Sequence, residues 1–207
     1  CLGLAYDDEF CIGMEKQLES RGITLRTGCK VKEVAGKDRA ETVILDNGEK
    51  LDADVVILGI GAVANVELAR KAGVQIGLSG SIAVDRTMMT SDPDIFACGD
   101  CAEKISFFGG GRSPLKLASI ATLEARIAGA NLYGLKRENP GTVGVWSTAV
   151  GDLALGTAGL TEGLAAKRGY QIVAATVEGP NRHPGGMPGA ANLKLKLVFE
   201  SHSGVLL

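Results

Sequence analysis

Apolar residues recur at helical spacing in two stretches of the chain. Residues 7–21 carry apolar side chains four positions apart and open with acidic residues, which predicts an amphipathic helix that Gly22 ends. Residues 115–133 form the longest helical pattern, and its apolar side consists of Leu117, Ile120, Ala121, Leu123, Ile127 and Ala128. For the middle turns of this second helix, a plain core role is favoured over a ligand role.

Shorter patterns predict strands in the first fifty residues. Residues 23–25 and 31–34 are predicted strands, and the second alternates as a half-buried strand does. After the predicted strand 42–45, Asn47-Gly48 supplies the positive φ angles that a tight turn needs. This region is therefore predicted to contain a hairpin.

A continuous apolar run occupies residues 54–60 and is typical of a strand buried in a parallel sheet. Gly61 stands at its end, and Asn65 begins a predicted helix that Gly73 ends. Two interpretations of the turn remain open. It is either a plain connection from strand to helix or a loop that contacts a ligand.

Residues 90–100, with the sequence TSDPDIFACGD, have residue types suited to a small ligand. Residues 95–97 predict a short buried strand, and Gly99 removes the side chain where the chain leaves that strand. The carboxylate of Asp100 would then stand at the carboxyl end of a parallel strand, where ligands of open α/β sheets bind and where it can accept hydrogen bonds from sugar-type hydroxyls. On spacing alone, a strand followed by a Gly-Asp turn without a ligand explains the pattern equally well.

Composition and charge narrow the classes of partner. The 207 residues are 45% hydrophobic and 22% charged, as in an ordinary globular protein, and are long enough for two domains. A net charge of -2 without clustered Lys and Arg argues against a nucleic-acid partner. The apolar runs are too short to span a bilayer. We therefore expect a cytoplasmic protein with neither a nucleic-acid nor a membrane partner.

The five cysteines, at positions 1, 11, 29, 98 and 101, do not form the regular framework of a secreted disulfide scaffold. Cys98 and Cys101 form a C-x-x-C motif, which can be a redox pair or half a zinc site. No second Cys or His pair stands at ligand spacing, so no metal is expected. Between a redox pair and two small space-filling thiols, the second interpretation is favoured.

The string T-x-x-P-x-I-F-A-x-G-D at residues 90–100 resembles the second flavin-binding motif of the FAD-dependent pyridine nucleotide-disulfide oxidoreductases. The resemblance extends upstream over residues 54–65 and downstream over residues 113–119. It implies that Asp100, after Gly99, holds the ribityl chain of FAD.

The same resemblance implies further ligand contacts. Leu117 and Ala118 would lie at the start of a helix that faces the flavin, and Gly61 and Asn65 would border the nicotinamide of NAD(P)H. Ala64 stands where the family usually has Pro, which weakens the match in this loop.

The last part of the chain, after the turn residues 138–141, is predicted to be an α+β module. A short helix capped by Thr161 lies among predicted strands, which cover residues 143–150, 153–157, 171–178, 195–200 and 204–207. In residues 158–162 and the His183-Pro184 segment especially, this part resembles the interface domain of NADH oxidases and coenzyme A disulfide reductases. His183 could contact a substrate, but an exposed loop histidine is the favoured interpretation.

The resemblance implies an α/β fold that is part of a doubly wound dinucleotide-binding arrangement. The later part of the NAD(P)-binding domain would cover residues 1–86, the return segment of the FAD domain residues 87–138, and the α+β interface domain residues 142–207. The G-x-G-x-x-G turn of a complete dinucleotide site is absent from the sequence. The redox cysteine of many relatives is not assigned to Cys1 or Cys11, so no catalytic residue is named.

The resemblance predicts a carboxyl-terminal portion of a flavin-dependent NAD(P)H oxidoreductase. The intact enzyme would pass hydride from nicotinamide to FAD, and reducing equivalents on to a small-molecule acceptor such as oxygen, a disulfide or polysulfide. The interface domain implies a homo-oligomer through residues 142–207. The alternative is a non-catalytic dimerisation or binding module without a cofactor.

Overall fold

The computed structural model describes residues 2–134 and 137–207. The helices within these residues are α1 (Asp8–Ser20), α2 (Glu67–Lys71), α3 (Ala118–Asn131) and α4 (Glu162–Lys167). The strands in the same ranges are β1 (Val31–Ala35), β2 (Thr42–Leu45), β3 (Lys50–Asp52), β4 (Lys104–Ile105), β5 (Arg112–Ser113), β6 (Val145–Val150), β7 (Leu153–Ala158), β8 (Ile172–Pro180) and β9 (Asn192–Glu200). None of the helices described is long and apolar enough to cross a lipid bilayer.

All of the strand pairs are antiparallel. They form one three-stranded sheet, β1-β2-β3, and the three pairs β4-β5, β6-β7 and β8-β9. Parallel pairing within the described residues is limited to isolated bridges, from Ile82 to Ala102 and from Ser106 to Thr142. The parallel sheet that residues 54–60 and 95–97 predicted is therefore not formed by this chain alone.

The amino-terminal helix and hairpin are confirmed. Gly22 ends α1 with φ +79°, a conformation that favours glycine. The predicted hairpin forms between β2 and β3, where Gly48 has φ +88° and the backbone N-H of Leu45 donates to the oxygen of Glu49 at 2.9 Å. Asp7 occupies the N-cap of α1 without capping it, because its Oδ1 accepts from the backbone N-H of Glu162 at 2.9 Å instead.

The apolar segment 54–60 is not a strand, contrary to the prediction. Ile57 and Ile60 are 89% and 90% exposed. A strand needs a hydrogen-bonded neighbour, and among the described residues none lies beside this segment. Its apolar side chains therefore remain on the surface.

Three shorter predicted strands are also wrong. Residues 23–25 follow α1 directly and join no sheet. Residues 95–97 form a single bridge with Met89, and residues 204–207 form a single bridge with Phe199. A ladder needs a run of paired residues, and one pair is too few to extend a strand.

Three hydrophobic clusters hold the described residues together. The buried members of the first are Val66, Val74, Ile82, Ala97 and Ala102. The second consists of Met88, Ile127 and Ala128, and the third of Leu160, Ala165, Val198 and Leu207. Because the first cluster joins residues on both sides of position 86, the predicted segments 1–86 and 87–138 pack together here. The domain limits themselves stay predictions.

The last part of the chain is built from two antiparallel pairs and a short helix, largely as predicted. Thr161 caps α4, because its Oγ1 accepts from the N-H of Leu164 at 3.2 Å. The β8-β9 ribbon turns Val198 inward, toward the cluster that contains Ala165 of α4. Helix α4 is therefore packed against one face of this ribbon.

Lys196 links α1 to this part of the chain. Its Nζ lies 2.8 Å from Glu9 Oε1, 3.3 Å from Asp7 Oδ2 and 2.6 Å from Glu162 Oε2. Burial would lower the pKa of Lys196, but hydrogen bonds to Glu162, Glu9 and Asp7 raise it above its ordinary value. The hydrogen bond from Lys196 in turn lowers the pKa of Glu9. One cation therefore joins α1, α4 and β9.

This cluster predicts a loss of stability in acid. A carboxyl with a lowered pKa in the folded state stabilises the fold above its ordinary pKa of 4.5, and that contribution is lost as the pH falls through the folded value. The urea concentration at the unfolding midpoint of the intact protein should therefore decrease as the pH is lowered below 4.5. In Glu9→Gln this decrease should be less steep. Equal slopes in the two proteins would contradict this role of Glu9.

Candidate functional site

The turn at Gly99–Cys101 is a single 3₁₀ turn, and its conformation requires glycine. Gly99 has φ +78°, in the left-handed region that side chains disfavour. A Cβ on Gly99 would meet Ala121 of α3 at 3.6 Å, which is ordinary contact. Glycine is therefore needed here for the backbone conformation, and the room beside α3 is not the limiting factor.

Asp100 lies at the surface of this turn. It borders a cavity of about 90 Å³ whose other lining residues are Ser79, Ser81, Ala102, Lys104, Ser113, Pro114, Leu115 and Lys116. No other residue in the described ranges donates a hydrogen bond to its carboxylate or pairs with it. The carboxylate is therefore free to accept hydrogen bonds from a ligand.

Helix α3 begins beside this turn, three residues later than predicted. Its N-cap is Leu117, with φ −133° and ψ 138°, and Ala118 is its first residue. The side chain of Leu117 makes no cap hydrogen bond, so the N-H groups of the first turn of α3 stay free of a capping side chain. This end of the helix is also the positive end of its dipole. Ala118 is exposed and Leu117 is half-buried, so this end of the helix is accessible.

A buried ion pair that was not predicted from the sequence lies beneath the turn. Lys104 Nζ and Glu124 Oε2 are 2.8 Å apart, and their side chains are 3% and 0% exposed. Glu124 stands four residues after Ile120 and three before Ile127, both buried, on the same stripe of α3. The signal in the sequence was the charged Glu124 on an otherwise apolar stripe of the helix. The predicted apolar side included Leu123 instead, which is exposed.

This ion pair is hydrogen-bonded to the backbone of the turn. The N-H of Gly99 donates to Glu124 Oε2 at 2.9 Å. Lys104 Nζ donates to the oxygen of Gly99 and, at 3.0 Å, to that of Ala102. Both backbone groups of Gly99 are therefore held by the pair.

The thiols of the C-x-x-C motif are free; Cys98 directly precedes the turn, and Cys101 is its last residue. Burial raises the pKa of Cys98, and the nearby carboxylate of Glu124 raises it further. A thiol with a raised pKa is a poor nucleophile near neutral pH. This supports the interpretation of Cys98 as a space-filling residue. Cys1 lies outside the described residues, and the part described contains no group of three His, Cys, Asp or Glu side chains that could hold a metal.

The residues predicted to border nicotinamide lie on the surface. Gly61 and Asn65 are both exposed, and Gly61 has φ +91°. The N-cap of α2 is Val66, so the prediction that Asn65 begins this helix is wrong by one residue. Val66 packs in the cluster that contains Ala97. The structure therefore brings this loop to the segment that leads into the Gly99 turn.

Two other candidate features lie away from the turn. His183 is exposed in the loop between β8 and β9, as favoured from the sequence. A cleft of about 460 Å³ lies between α1, β7 and β9, with Asp7 and Lys196 among its lining residues. These two residues belong to the ion-pair cluster that joins α1 to β9. The cleft is therefore part of a structural contact between elements.

Comparison with known proteins gives a family. Residues 2–125 match the family described as pyridine nucleotide-disulphide oxidoreductase. The chain is 36% identical over 202 residues to the NAD(P)H sulfur oxidoreductase (CoA-dependent) of Pyrococcus furiosus, covering 98% of this chain and 45% of that protein. It is 31% identical to the NADH oxidase of Enterococcus faecalis, covering 94% of this chain and 43% of that protein.

Solved structures of similar proteins superpose closely on this chain. The NAD-dependent persulfide reductase from A. fulgidus superposes with a TM-score of 0.93 at 30% identity, over 99% of this chain and 38% of the other. The water-forming NADH oxidase from Lactobacillus brevis gives a TM-score of 0.91 at 27% identity, over 100% and 45%.

The chain belongs to the pyridine nucleotide-disulphide oxidoreductase family. Its mixture of helices and strands is part of the α/β fold of that family, because it superposes on members over nearly its whole length and on less than half of theirs. The chain spans about 45% of the length of the curated relatives that it matches.

Proposed function

We propose that this chain is the flavin-contacting and interface portion of an NAD(P)H oxidoreductase. The intact enzyme transfers hydride from nicotinamide to FAD, and reducing equivalents on to a small-molecule acceptor. The observation that carries the proposal is the Gly99-Asp100 turn beside the open end of α3, in a chain of this family.

The residues present fit a flavin. Asp100 offers a carboxylate without a protein partner, which suits the hydroxyls of a ribityl chain. The positive φ of Gly99 forms the tight turn that presents Asp100. The uncapped N-H groups that follow Leu117 and start at Ala118 suit the electron-rich edge of the ring system, because a helix N-terminus favours negative charge. When bound, FAD supplies the hydride acceptor, and the protein supplies position and electrostatics.

The loop that contains Gly61 and Asn65 is proposed to border the nicotinamide. It packs through Val66 on the same hydrophobic cluster as Ala97, which leads into the flavin turn. Such a packing contact would keep the nicotinamide and flavin rings at a fixed distance and orientation, and hydride transfer requires this positioning from the protein.

A half-reaction experiment tests this function. The intact protein should be purified with bound FAD, and NADH or NADPH added without oxygen should bleach the flavin absorbance. Oxygen, polysulfide and coenzyme A disulfide are then added separately, and the acceptor is the one that restores the absorbance fastest. A colourless protein that does not bind added FAD would contradict the function and favour the alternative, a binding or dimerisation module.

The 207-residue chain alone should not oxidise NADH faster than free flavin does. The physical reason is that its sequence lacks the G-x-G-x-x-G turn that cradles the pyrophosphate of a dinucleotide. The measurement is NADH consumption with added FAD, compared with FAD without protein. Turnover by the chain above that background would show this expectation to be wrong.

We also propose that the intact enzyme is a homo-oligomer through residues 142–207. One face of the β8-β9 ribbon packs against α4, and the opposite face is apolar and exposed. That opposite face consists of Val173, Val177, Leu193, Leu195 and Leu197. An apolar face of this kind favours a partner that buries it, and closed symmetric pairs are the commonest form.

Charge placed on this face should weaken the association. Leu195→Lys or Leu197→Lys should shift the intact enzyme toward monomer in sedimentation, because a cation would be buried against an apolar surface. Gln171→Lys, exposed just before β8, is the control and should leave the equilibrium unchanged. A wild-type monomer at high micromolar concentration would contradict the proposal.

In the isolated chain, residues 54–60 offer a second apolar surface, since Ile57 is 89% exposed. Ile57→Lys separates association through this segment from association through the ribbon. Ile120 of α3 is buried, so its side chain offers no surface for association.

A further inference from the structure

The flavin turn is held by a buried charge pair whose hydrogen bonds all concern that turn. Lys104 and Glu124 contact the N-H and oxygen of Gly99 and the oxygen of Ala102, besides each other. Gly99 has no side chain through which it could be anchored. The pair is therefore the only side-chain anchor of the Gly99 backbone among the described residues.

Stability alone does not explain a pair in this position. Two buried charges lose their hydration, and an apolar pair of similar shape is often as stable or more so. Glu124 Oε1 is buried without a hydrogen-bond partner, which adds to the cost. One carboxylate oxygen of Glu124 accepts hydrogen bonds from Gly99 and Lys104, and the other has no partner. The pair therefore fixes the geometry of the turn at a cost to the stability of the fold.

The turn in question presents Asp100. Gly99 precedes Asp100 directly, and Ala102 follows two residues later. Hydrogen bonds to the backbone on both sides of Asp100 limit how far its carboxylate can move. The buried pair of Lys104 and Glu124 therefore holds the backbone around Asp100, whose own side chain is free at the surface.

We propose that Lys104 and Glu124 are positioning residues for the flavin. They fix the backbone of Gly99–Cys101 so that the Asp100 carboxylate stands where it accepts hydrogen bonds from the ribityl hydroxyls. They act through Asp100 and do not touch the flavin. This inference rests on the proposed function and deepens it, because it extends the flavin site to two residues of the interior.

The test separates positioning from stability with a charge-neutral double variant. Each single variant leaves one buried charge unpaired and destabilises the fold. Lys104→Met combined with Glu124→Gln removes both charges, so thermal unfolding of the FAD-free intact enzyme should return to near the wild-type temperature. The FAD dissociation constant, measured by quenching of flavin fluorescence, should nevertheless remain about tenfold higher than that of the wild type. The oxygens of Gly99 and Ala102 have then lost their donor Lys104, and the N-H of Gly99 donates only to a neutral amide oxygen.

Matched variants complete the design. Lys194→Met with Glu178→Gln removes an exposed pair that is 3.4 Å apart, and should change neither quantity. Adding Asp100→Asn to the interior double variant should weaken FAD binding further by much less than Asp100→Asn does in the wild type, since both act through one carboxylate. Glu124→Asp keeps the charge but withdraws the carboxylate, and should weaken FAD binding even if the double variant does not fold.

The outcomes are distinguishable. If Asp100→Asn weakens FAD binding and the interior variants do not, or if the losses simply add, the positioning role is wrong and the flavin site stands. If the wild type binds no FAD, or if Asp100→Asn leaves FAD binding unchanged, both the proposed flavin site and the positioning role are wrong. Restored folding together with fully restored FAD affinity in the double variant would show a purely structural pair.

Discussion

Asp100→Ala should strip FAD from the intact enzyme. Each charge-assisted hydrogen bond from a ribityl hydroxyl to the Asp100 carboxylate contributes roughly 1.5–3 kcal/mol, so its loss weakens FAD binding by about ten- to hundredfold. The carboxylate is free of protein partners, so removing it should cost the fold little. The measurement is the ratio of flavin to protein after dialysis, together with the thermal unfolding temperature of the FAD-free protein.

Asp152→Ala is the matched control for Asp100→Ala. Asp152 is likewise exposed, but it lies in the turn between β6 and β7 and does not line the cavity beside Asp100. Its replacement should leave flavin retention unchanged. If Asp100→Ala retained as much flavin as this control does, the ribityl role of Asp100 would be wrong.

Lys196→Met should destabilise the contact between α1 and the last part of the chain. The Lys196 side chain is 9% exposed, and its ammonium is shared by Asp7, Glu9 and Glu162. Without the cation these three carboxylates repel one another. Because Glu9 and Glu162 are partly solvated, the expected loss is about 1–3 kcal/mol of unfolding free energy at neutral pH, less than a fully buried cluster would lose.

The control for this cluster is Lys194→Met on the same strand. Lys194 is 40% exposed and lies 3.4 Å from an exposed Glu178, so its replacement should cost less than about 1 kcal/mol. Urea unfolding of both variants gives the comparison. Equal losses would mean that the three carboxylates around Lys196 do not depend on its charge.

Features set by neighbouring residues were predictable from the sequence. The turn at Asn47-Gly48 and the Thr161 cap depend on backbone and side-chain preferences within a few residues, and both form. Of the two turn residues, Gly48 takes the predicted positive φ and Asn47 does not. The turn at Gly99 was predicted because glycine lacks a side chain where the chain leaves residues 95–97. The structure adds that the positive φ of Gly99 favours glycine.

Features that depend on distant partners were not predictable. Residues 54–60 have the composition of a buried strand, but strand formation needs a neighbour that the described residues do not supply. The Lys104–Glu124 pair is separated by 20 residues and lies on elements of different type. Periodicity placed Leu123 on the buried side of α3, although Glu124 takes that place because Lys104 and the N-H of Gly99 meet it there.

The most direct test of the central claim is a crystal structure of the intact enzyme with FAD. In that structure a carboxylate oxygen of Asp100 should lie about 2.5–3.0 Å from a ribityl hydroxyl oxygen. The first turn of α3, after Leu117, should face the flavin ring. A structure in which Asp100 points into solvent while FAD is bound elsewhere would contradict it.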